Sequence, residues 1–143
     1  MKKKIFIGLL VVIIGIQFIG VDQNNPSVVE DVDFENVEQI PQEELALLKS
    51  SCYDCHANST EYPWYFNIQP LAWWLKGHVR NGRDRMNFNE WGNLTSDQKR
   101  HDKEDCVMVL EKKWMPPRSY QFMHSDAKLT DEQREKLIAW FGK

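Results

Sequence analysis

Apolar residues recur at intervals of three and four along most of the chain after residue 40, which is the spacing of amphipathic helices. Four such helices are predicted, over about residues 41–56, 70–82, 95–113 and 130–141. Pairs of Thr and Gln three residues apart, Thr95 with Gln98 and Thr130 with Gln133, predict capping boxes at the starts of the last two. No segment shows a convincing strand pattern, so the fold class predicted for this domain is all-α.

The first 40 residues follow a different pattern. Three lysines precede an apolar run from Ile5 to Val21, which is near the lower end of the roughly 17–25 residues that cross a bilayer. We expect residues 1–21 to form an uncleaved membrane anchor, rather than a cleaved export signal, with the rest of the chain outside the cytoplasm. Residues 22–40 contain six acidic residues and no Lys or Arg, which predicts a flexible linker to a domain over residues 41–143.

Composition and charge narrow the possible partners. The formal net charge is −3, and part of the positive charge lies in the N-terminal lysines. An acidic domain argues against nucleic-acid binding, which requires clustered Lys and Arg. Six tryptophans and an aromatic content of 12% suit a pocket for a large, flat, apolar ligand.

The segment Cys52-Tyr53-Asp54-Cys55-His56 carries the strongest chemical signal. Two thiols three residues apart and an adjacent imidazole share one face of a helical turn, and this is the attachment pattern of a c-type haem. We therefore predict one covalent haem c per chain, with His56 on the iron. A zinc site that adds Cys106 and a histidine is an alternative. A redox disulfide is another, but it would be expected in a strand–helix setting.

A second iron ligand is predicted at Met115. The Pro116-Pro117 pair holds this residue on a stiff loop, and a thioether opposite a histidine is a known axial pair in cytochromes. His78, His124 and an open sixth position remain alternatives. Cys106 is expected to be a buried, inert thiol, with a free redox thiol or an intermolecular disulfide as the alternatives.

With these residues in view, the chain resembles the bacterial haem-binding domain family of mono-haem, cytochrome-c-like proteins over residues 41–141. The matching pieces are Cys52–Asn58, Tyr62–Tyr65, Gln69–Leu75 with His78, Asn87–Phe88 with Trp91, Met115–Pro116 with Tyr120, His124, Ala127–Thr130 and Trp140. The resemblance implies covalent haem c, a helical cytochrome-like fold wrapped round it and a location outside the cytoplasm.

Together these features predict a membrane-anchored, single-pass c-type cytochrome domain for one-electron transfer, in the periplasm or outside the cell. The sequence shows no nucleophile–base pair or paired carboxylates, so an enzyme is not expected. A haem sensor or peroxidase-like protein with an open sixth position is the first alternative. A zinc or disulfide-stabilised interaction module is the second. The sequence specifies neither the redox partner nor the oligomeric state.

Overall fold

Helices and connecting loops make up the whole of the computed structural model, which describes residues 1–143 and contains no strand. The prediction of an all-α fold is confirmed. The α-helices are α1 (Lys2–Ile16), α2 (Phe34–Glu38), α3 (Gln42–Ser51), α4 (Tyr53–His56), α5 (Leu71–Arg85), α6 (Ser96–Glu111), α7 (Arg118–Met123) and α8 (Asp131–Phe141). Short 3₁₀ turns span Glu30–Val32, Trp64–Asn67, Phe88–Asn93 and Ser125–Ala127.

The helix starts agree well with the sequence, because local side chains determine them. Pro41 precedes α3, and Pro70 precedes α5. Both predicted capping boxes form, at Thr95 before α6 and at Thr130 before α8. Each threonine hydroxyl accepts a bond from the backbone N–H of the glutamine, and the glutamine side chain accepts one from the threonine N–H, so two otherwise unpaired donors are satisfied.

Two helix ends differ from the prediction. The first predicted helix breaks at Cys52, where the backbone leaves the helical conformation and separates α3 from α4. The second continues past Asn81-Gly82 as far as Arg85. Gly82 does not stop α5: a Cβ built at this position would lie 2.4 Å from the backbone oxygen of Cys55. The glycine therefore permits close approach of α5 to the haem motif instead of ending the helix.

The core gathers aromatic side chains from elements far apart in sequence. Phe34 from α2 lies at its centre with no solvent exposure. Its ring centroid is 5.0 Å from those of Phe88 and Trp91, in edge-on arrangements. Trp140 and Phe141 of α8 close the other side. Edge-to-face pairs of this kind add to the stabilisation that comes from burial itself.

The acidic segment therefore differs from the flexible linker predicted for residues 22–40. Its second half forms a 3₁₀ turn and α2, and it supplies Phe34 to the core. Glu38 of α2 accepts hydrogen bonds from Trp91 and Lys103. The acidic composition hid this role because a few buried apolar residues, here Phe34 and Ile40, order the segment together with its hydrogen bonds.

The N-terminal apolar run is helical only as far as Ile16, and no residue of α1 is buried. Among the helices of the structure, none has the length and apolar character needed to cross a membrane, so the predicted anchor is unsupported. The chain just after α1 is bonded to the domain. Gln17 bonds to the backbone N–H and carbonyl of Gln69, and the Gln69 side chain donates to the carbonyl of Ile19.

Candidate haem site

One large cavity of about 510 Å³ lies between α3, α4, α5, α6 and the loop before α7. Its volume falls within the range of roughly 300–1,000 Å³ that is typical of small-molecule pockets. Half of the lining residues are hydrophobic, including Leu48, Phe88 and Phe141. This cavity is lined by several of the residues predicted to bind haem: Cys52, Cys55, His56, Met115 and the alternative ligand His78.

The break between α3 and α4 presents the motif to this cavity. The backbone N–H groups of Cys55 and His56 both donate to the carbonyl of Cys52, at 3.1 and 2.9 Å. These bonds preserve a single helical turn, which keeps the two thiols and the imidazole on the same side. The expected arrangement is therefore present, on an isolated turn and not at the end of a longer helix.

His56 is oriented by a residue that the sequence did not identify. Its Nδ1 lies 3.1 Å from the carbonyl oxygen of Met86. Since a carbonyl can only accept, the hydrogen bond requires the proton on Nδ1, which leaves a lone pair on Nε2 for a metal. Burial lowers the pKa of His56, although bonds to backbone carbonyls oppose this effect. The imidazole is therefore held neutral and in a tautomer that can bind iron.

Both motif thiols are free and are neutral at ordinary pH. Burial raises the pKa of Cys52 to about 12 and that of Cys55 to about 11, and each lies in the cavity wall. Cys106 also lines the cavity, with its Sγ 3.8 Å from the Sδ of Met86, and burial raises its pKa as well. Neutral thiols are poor nucleophiles and poor metal ligands.

The candidates for the sixth iron position are placed differently. Met115 and His78 both line the cavity, from the loop after α6 and from α5. His124 is not part of the cavity wall: its ring stacks on Tyr120 with centroids 4.0 Å apart, and it lies near the hydroxyl of Tyr65. Met108 of α6 is partly exposed and lines the cavity too.

The aromatic loop after the motif, residues 57–66, does not line the cavity. Tyr65 and Phe66 pack in a separate cluster with Ala72 and Leu75. Instead, part of the cavity wall is polar. It includes Arg85, which pairs with Asp105, and Tyr120, whose hydroxyl donates to the carboxylate of Asp54. These contacts join residues 20 and 66 positions apart, and no local pattern signals them.

Comparison with known proteins identifies the family. The family model described as "Haem-binding domain" matches residues 11–143. The chain belongs to this haem-binding domain family. The cytochrome c peroxidase Ccp of Escherichia coli strain K12 is a distant relative, 27% identical over 100 residues, which are 68% of this chain and 22% of that protein. The chain thus spans about a fifth of the length of this relative. No solved structure matches the chain.

The cavity of this haem-binding domain fits the group that the family binds. It offers two thiols for thioether bonds, a neutral imidazole with Nε2 available and a soft thioether, in a wall with a large apolar share. Bound haem iron supplies one-electron chemistry. The zinc alternative lacks support from the structure, since no group of three or more His, Cys, Asp or Glu side chains is arranged to hold a metal ion. The redox-disulfide alternative lacks the strand–helix setting expected for it, and all three cysteines are free in this structure.

Proposed function

We propose that this haem-binding domain is a mono-haem c-type cytochrome domain that transfers single electrons. Cys52 and Cys55 would attach the haem, and His56 and Met115 would bind its iron. The observation that supports this proposal is that all four side chains line one cavity, although Met115 is about 60 residues beyond the motif. The Nδ1 bond from His56 to Met86 favours stable ligation, because it fixes the ring orientation and raises the basicity of Nε2.

The chain residues contribute binding and insulation. The apolar part of the wall, which includes Leu48, Phe88 and Phe141, would limit the water around the haem and so reduce the reorganisation that accompanies a change of iron charge. With both His56 and Met115 on the iron, no position would be open to a substrate, which would favour electron transfer over catalysis at the iron. A methionine ligand also raises the reduction potential relative to a second nitrogen ligand.

Covalent attachment is tested by producing the full chain in a host with haem-attachment machinery. Denaturing gel electrophoresis with haem staining should show haem on the polypeptide, and the intact mass should correspond to the chain plus one haem. The Cys52→Ala/Cys55→Ala variant should lose both signals. A bare polypeptide mass for the exported wild-type protein would exclude covalent haem c.

The sixth ligand is tested by the spectrum of the oxidised protein. Methionine ligation gives a weak charge-transfer band at the red end of the visible spectrum, and Met115→Ala should abolish it. Met108→Ala is the matched control, because Met108 lines the same cavity from α6. A band that survives in Met115→Ala but disappears in His78→Ala or Met108→Ala would refute the assignment of Met115.

A peroxidase-like protein is the second candidate, because the relative from E. coli is named a cytochrome c peroxidase. That function requires an open or readily opened sixth position. Rapid binding of carbon monoxide to the reduced protein, together with turnover of hydrogen peroxide, would favour it. Low-spin spectra in both oxidation states and slow carbon monoxide binding would favour the electron carrier.

We also propose that the domain works outside the cytoplasmic membrane, in the periplasm or outside the cell, with residues 1–21 as its anchor. The lysines before the apolar run and the need to attach the haem outside the cytoplasm support this location. Cell fractionation, protease accessibility and the N-terminal mass of the mature protein test it. Recovery of the full chain with haem in the soluble cytoplasmic fraction would contradict it.

A further inference from the structure

Arg134 is a buried cation without an ionic partner. Only 7% of this α8 residue is exposed, and none of the ion pairs in the structure includes it. Asp131, one turn earlier on α8, bonds to Lys113 at 2.5 Å instead. Buried arginines are normally paired, because an unpaired charge in the interior is costly. The burial of Arg134 without an ionic partner therefore needs a structural explanation.

The guanidinium group is bonded to the part of the cavity wall that carries Met115. Its Nη1 donates to the carbonyl of Met115 at 2.8 Å and to that of Leu110 at 3.3 Å. Both residues line the cavity. Arg134 thus ties the end of α6 to the loop that carries the proposed sulfur ligand. Its Nε is buried and has no partner, so the charge is not fully compensated by these bonds.

We propose that Arg134 is a positioning residue that holds the Met115 loop against the haem and raises the reduction potential of the iron. This proposal rests on the proposed function, since it takes Met115 as the sixth ligand. Nη1 of Arg134 bonds two backbone carbonyls at once, and the planar guanidinium holds this nitrogen more rigidly than the flexible stem of a lysine would hold an ammonium. Met115 is then presented by a backbone that is bonded on its carbonyl side and followed by the buried Pro116.

The effect on the potential follows from charge. Reduction lowers the positive charge of the iron centre by one, so a nearby cation favours the reduced state. In a dry interior this interaction is screened much less than in water. Exposed cations of the same charge have little effect, because solvent and salt screen them.

Three variants separate these effects in the full chain with its haem attached. Arg134→Met removes the charge and the hydrogen bonds but keeps much of the apolar stem. Arg134→Lys keeps the charge and loses the rigid pair of bonds. Arg100→Met is the matched control: it removes an arginine of α6 that is 64% exposed and pairs with Glu104.

The readouts are the midpoint potential and the methionine–iron band. We expect Arg134→Met to lower the reduction equilibrium constant tenfold or more, which is about 59 mV for a one-electron couple. As the pH is raised, the methionine–iron band should also disappear at a lower pH than in the wild type, because the Met115 loop is held less firmly. In Arg134→Lys, the molecules that retain the band should have a potential closer to that of the wild type, because the charge is kept. The band itself should be lost more readily than in the wild type, because the rigid bonds are lost. Arg100→Met should match the wild type in both measurements.

Unchanged potential and band in Arg134→Met would overturn the proposal. If that variant does not assemble with haem, Arg134→Lys decides the question: a band as persistent as that of the wild type refutes the positioning role. Failure of the proposed function has a different signature, because the wild type itself would then lack covalent haem or the methionine band.

Discussion

Gly82 determines how closely α5 approaches the haem motif. A methyl group at this position would meet the carbonyl oxygen of Cys55 at 2.4 Å and its carbonyl carbon at 3.0 Å, and both atoms belong to the backbone. Backbone atoms cannot rotate away as a side chain can, so Gly82→Ala must displace either α5 or α4. We expect it to destabilise the fold by about 1–3 kcal/mol and to reduce the yield of haem-loaded protein.

Gly77→Ala provides a control on the same helix. A Cβ at Gly77 meets nothing within 4 Å, so this change should stabilise α5 by roughly 0.5–1 kcal/mol through its helix propensity. Urea unfolding and haem content per polypeptide measure both effects. Equal stability and equal haem content in the two variants would show that the close contact does not constrain the site.

At the scale of residues, the sequence identified the groups with distinctive chemistry and missed those that orient them. Cys52, Cys55 and His56 are recognisable because their spacing is local. The carbonyl of Met86 that bonds to His56 is 30 residues away, and every residue has a carbonyl. Arg134 could not be distinguished from a surface arginine, because only the tertiary packing buries it.

At the scale of elements, α2 shows how a short helix can be fixed by very few contacts. It has only five residues, but Phe34 is fully buried against Phe88, Trp91 and Trp140. Phe34→Ala should therefore cost about 3–5 kcal/mol of stability, which is usual for the loss of a buried aromatic residue. Phe122→Ala, at a side chain that is 87% exposed, should leave stability nearly unchanged. Thermal unfolding followed by circular dichroism gives the melting temperatures of both variants. Equal melting temperatures would support the prediction that residues 22–40 are a flexible linker.

Glu38 makes the attachment of α2 dependent on pH. Burial alone would raise the pKa of Glu38, but hydrogen bonds from Lys103 and Trp91 outweigh it and lower the pKa below 4.5. A carboxyl group with a lowered pKa in the folded state stabilises the fold above its unfolded pKa. This contribution is lost as the pH falls from about 4.5 through the lower folded value.

The Glu38→Gln variant should therefore be less stable than the wild type at neutral pH, and the difference should shrink in acid. Urea unfolding at a series of pH values measures this. Exposed Glu61→Gln is the control, and it should follow the wild-type curve. A Glu38→Gln curve that stays parallel to the wild-type curve down to the lowest pH would contradict the role of this carboxylate.

The helices themselves were largely predictable, because their caps and apolar spacing are local. The starts of α3, α5, α6 and α8 follow from Pro41, Pro70, Thr95 and Thr130. Helix ends were less predictable. The break at Cys52 and the continuation of α5 through Gly82 both lie where α4 packs on α5, and the close approach there joins Cys55 to Gly82, 27 residues further along the chain.

At the scale of the whole molecule, the protein is built around a space that its own side chains do not fill. Interiors of folded proteins are close-packed, and voids larger than a water molecule are few. A cavity of about 510 Å³ in a chain of 143 residues leaves many apolar side chains without partners on one side. Haem attachment should therefore stabilise the fold as well as supply the iron, since a group bound only by the folded state shifts the equilibrium towards that state.

This coupling predicts that the protein without haem is loosely packed. The Cys52→Ala/Cys55→Ala variant, prepared free of haem, should keep its helical far-ultraviolet signal but lose near-ultraviolet dichroism, bind a hydrophobic dye and unfold at a much lower temperature than the haem-loaded wild type. Cys106→Ala is the matched control, because it removes a thiol from the same cavity wall without removing an attachment point. It should retain the haem, the near-ultraviolet signal and most of the stability. The contrary result would be a haem-free double variant that unfolds as cooperatively as the haem-loaded protein and at the same temperature. The polypeptide alone would then specify its packing, and the haem would be a ligand of a preformed core and not part of that core.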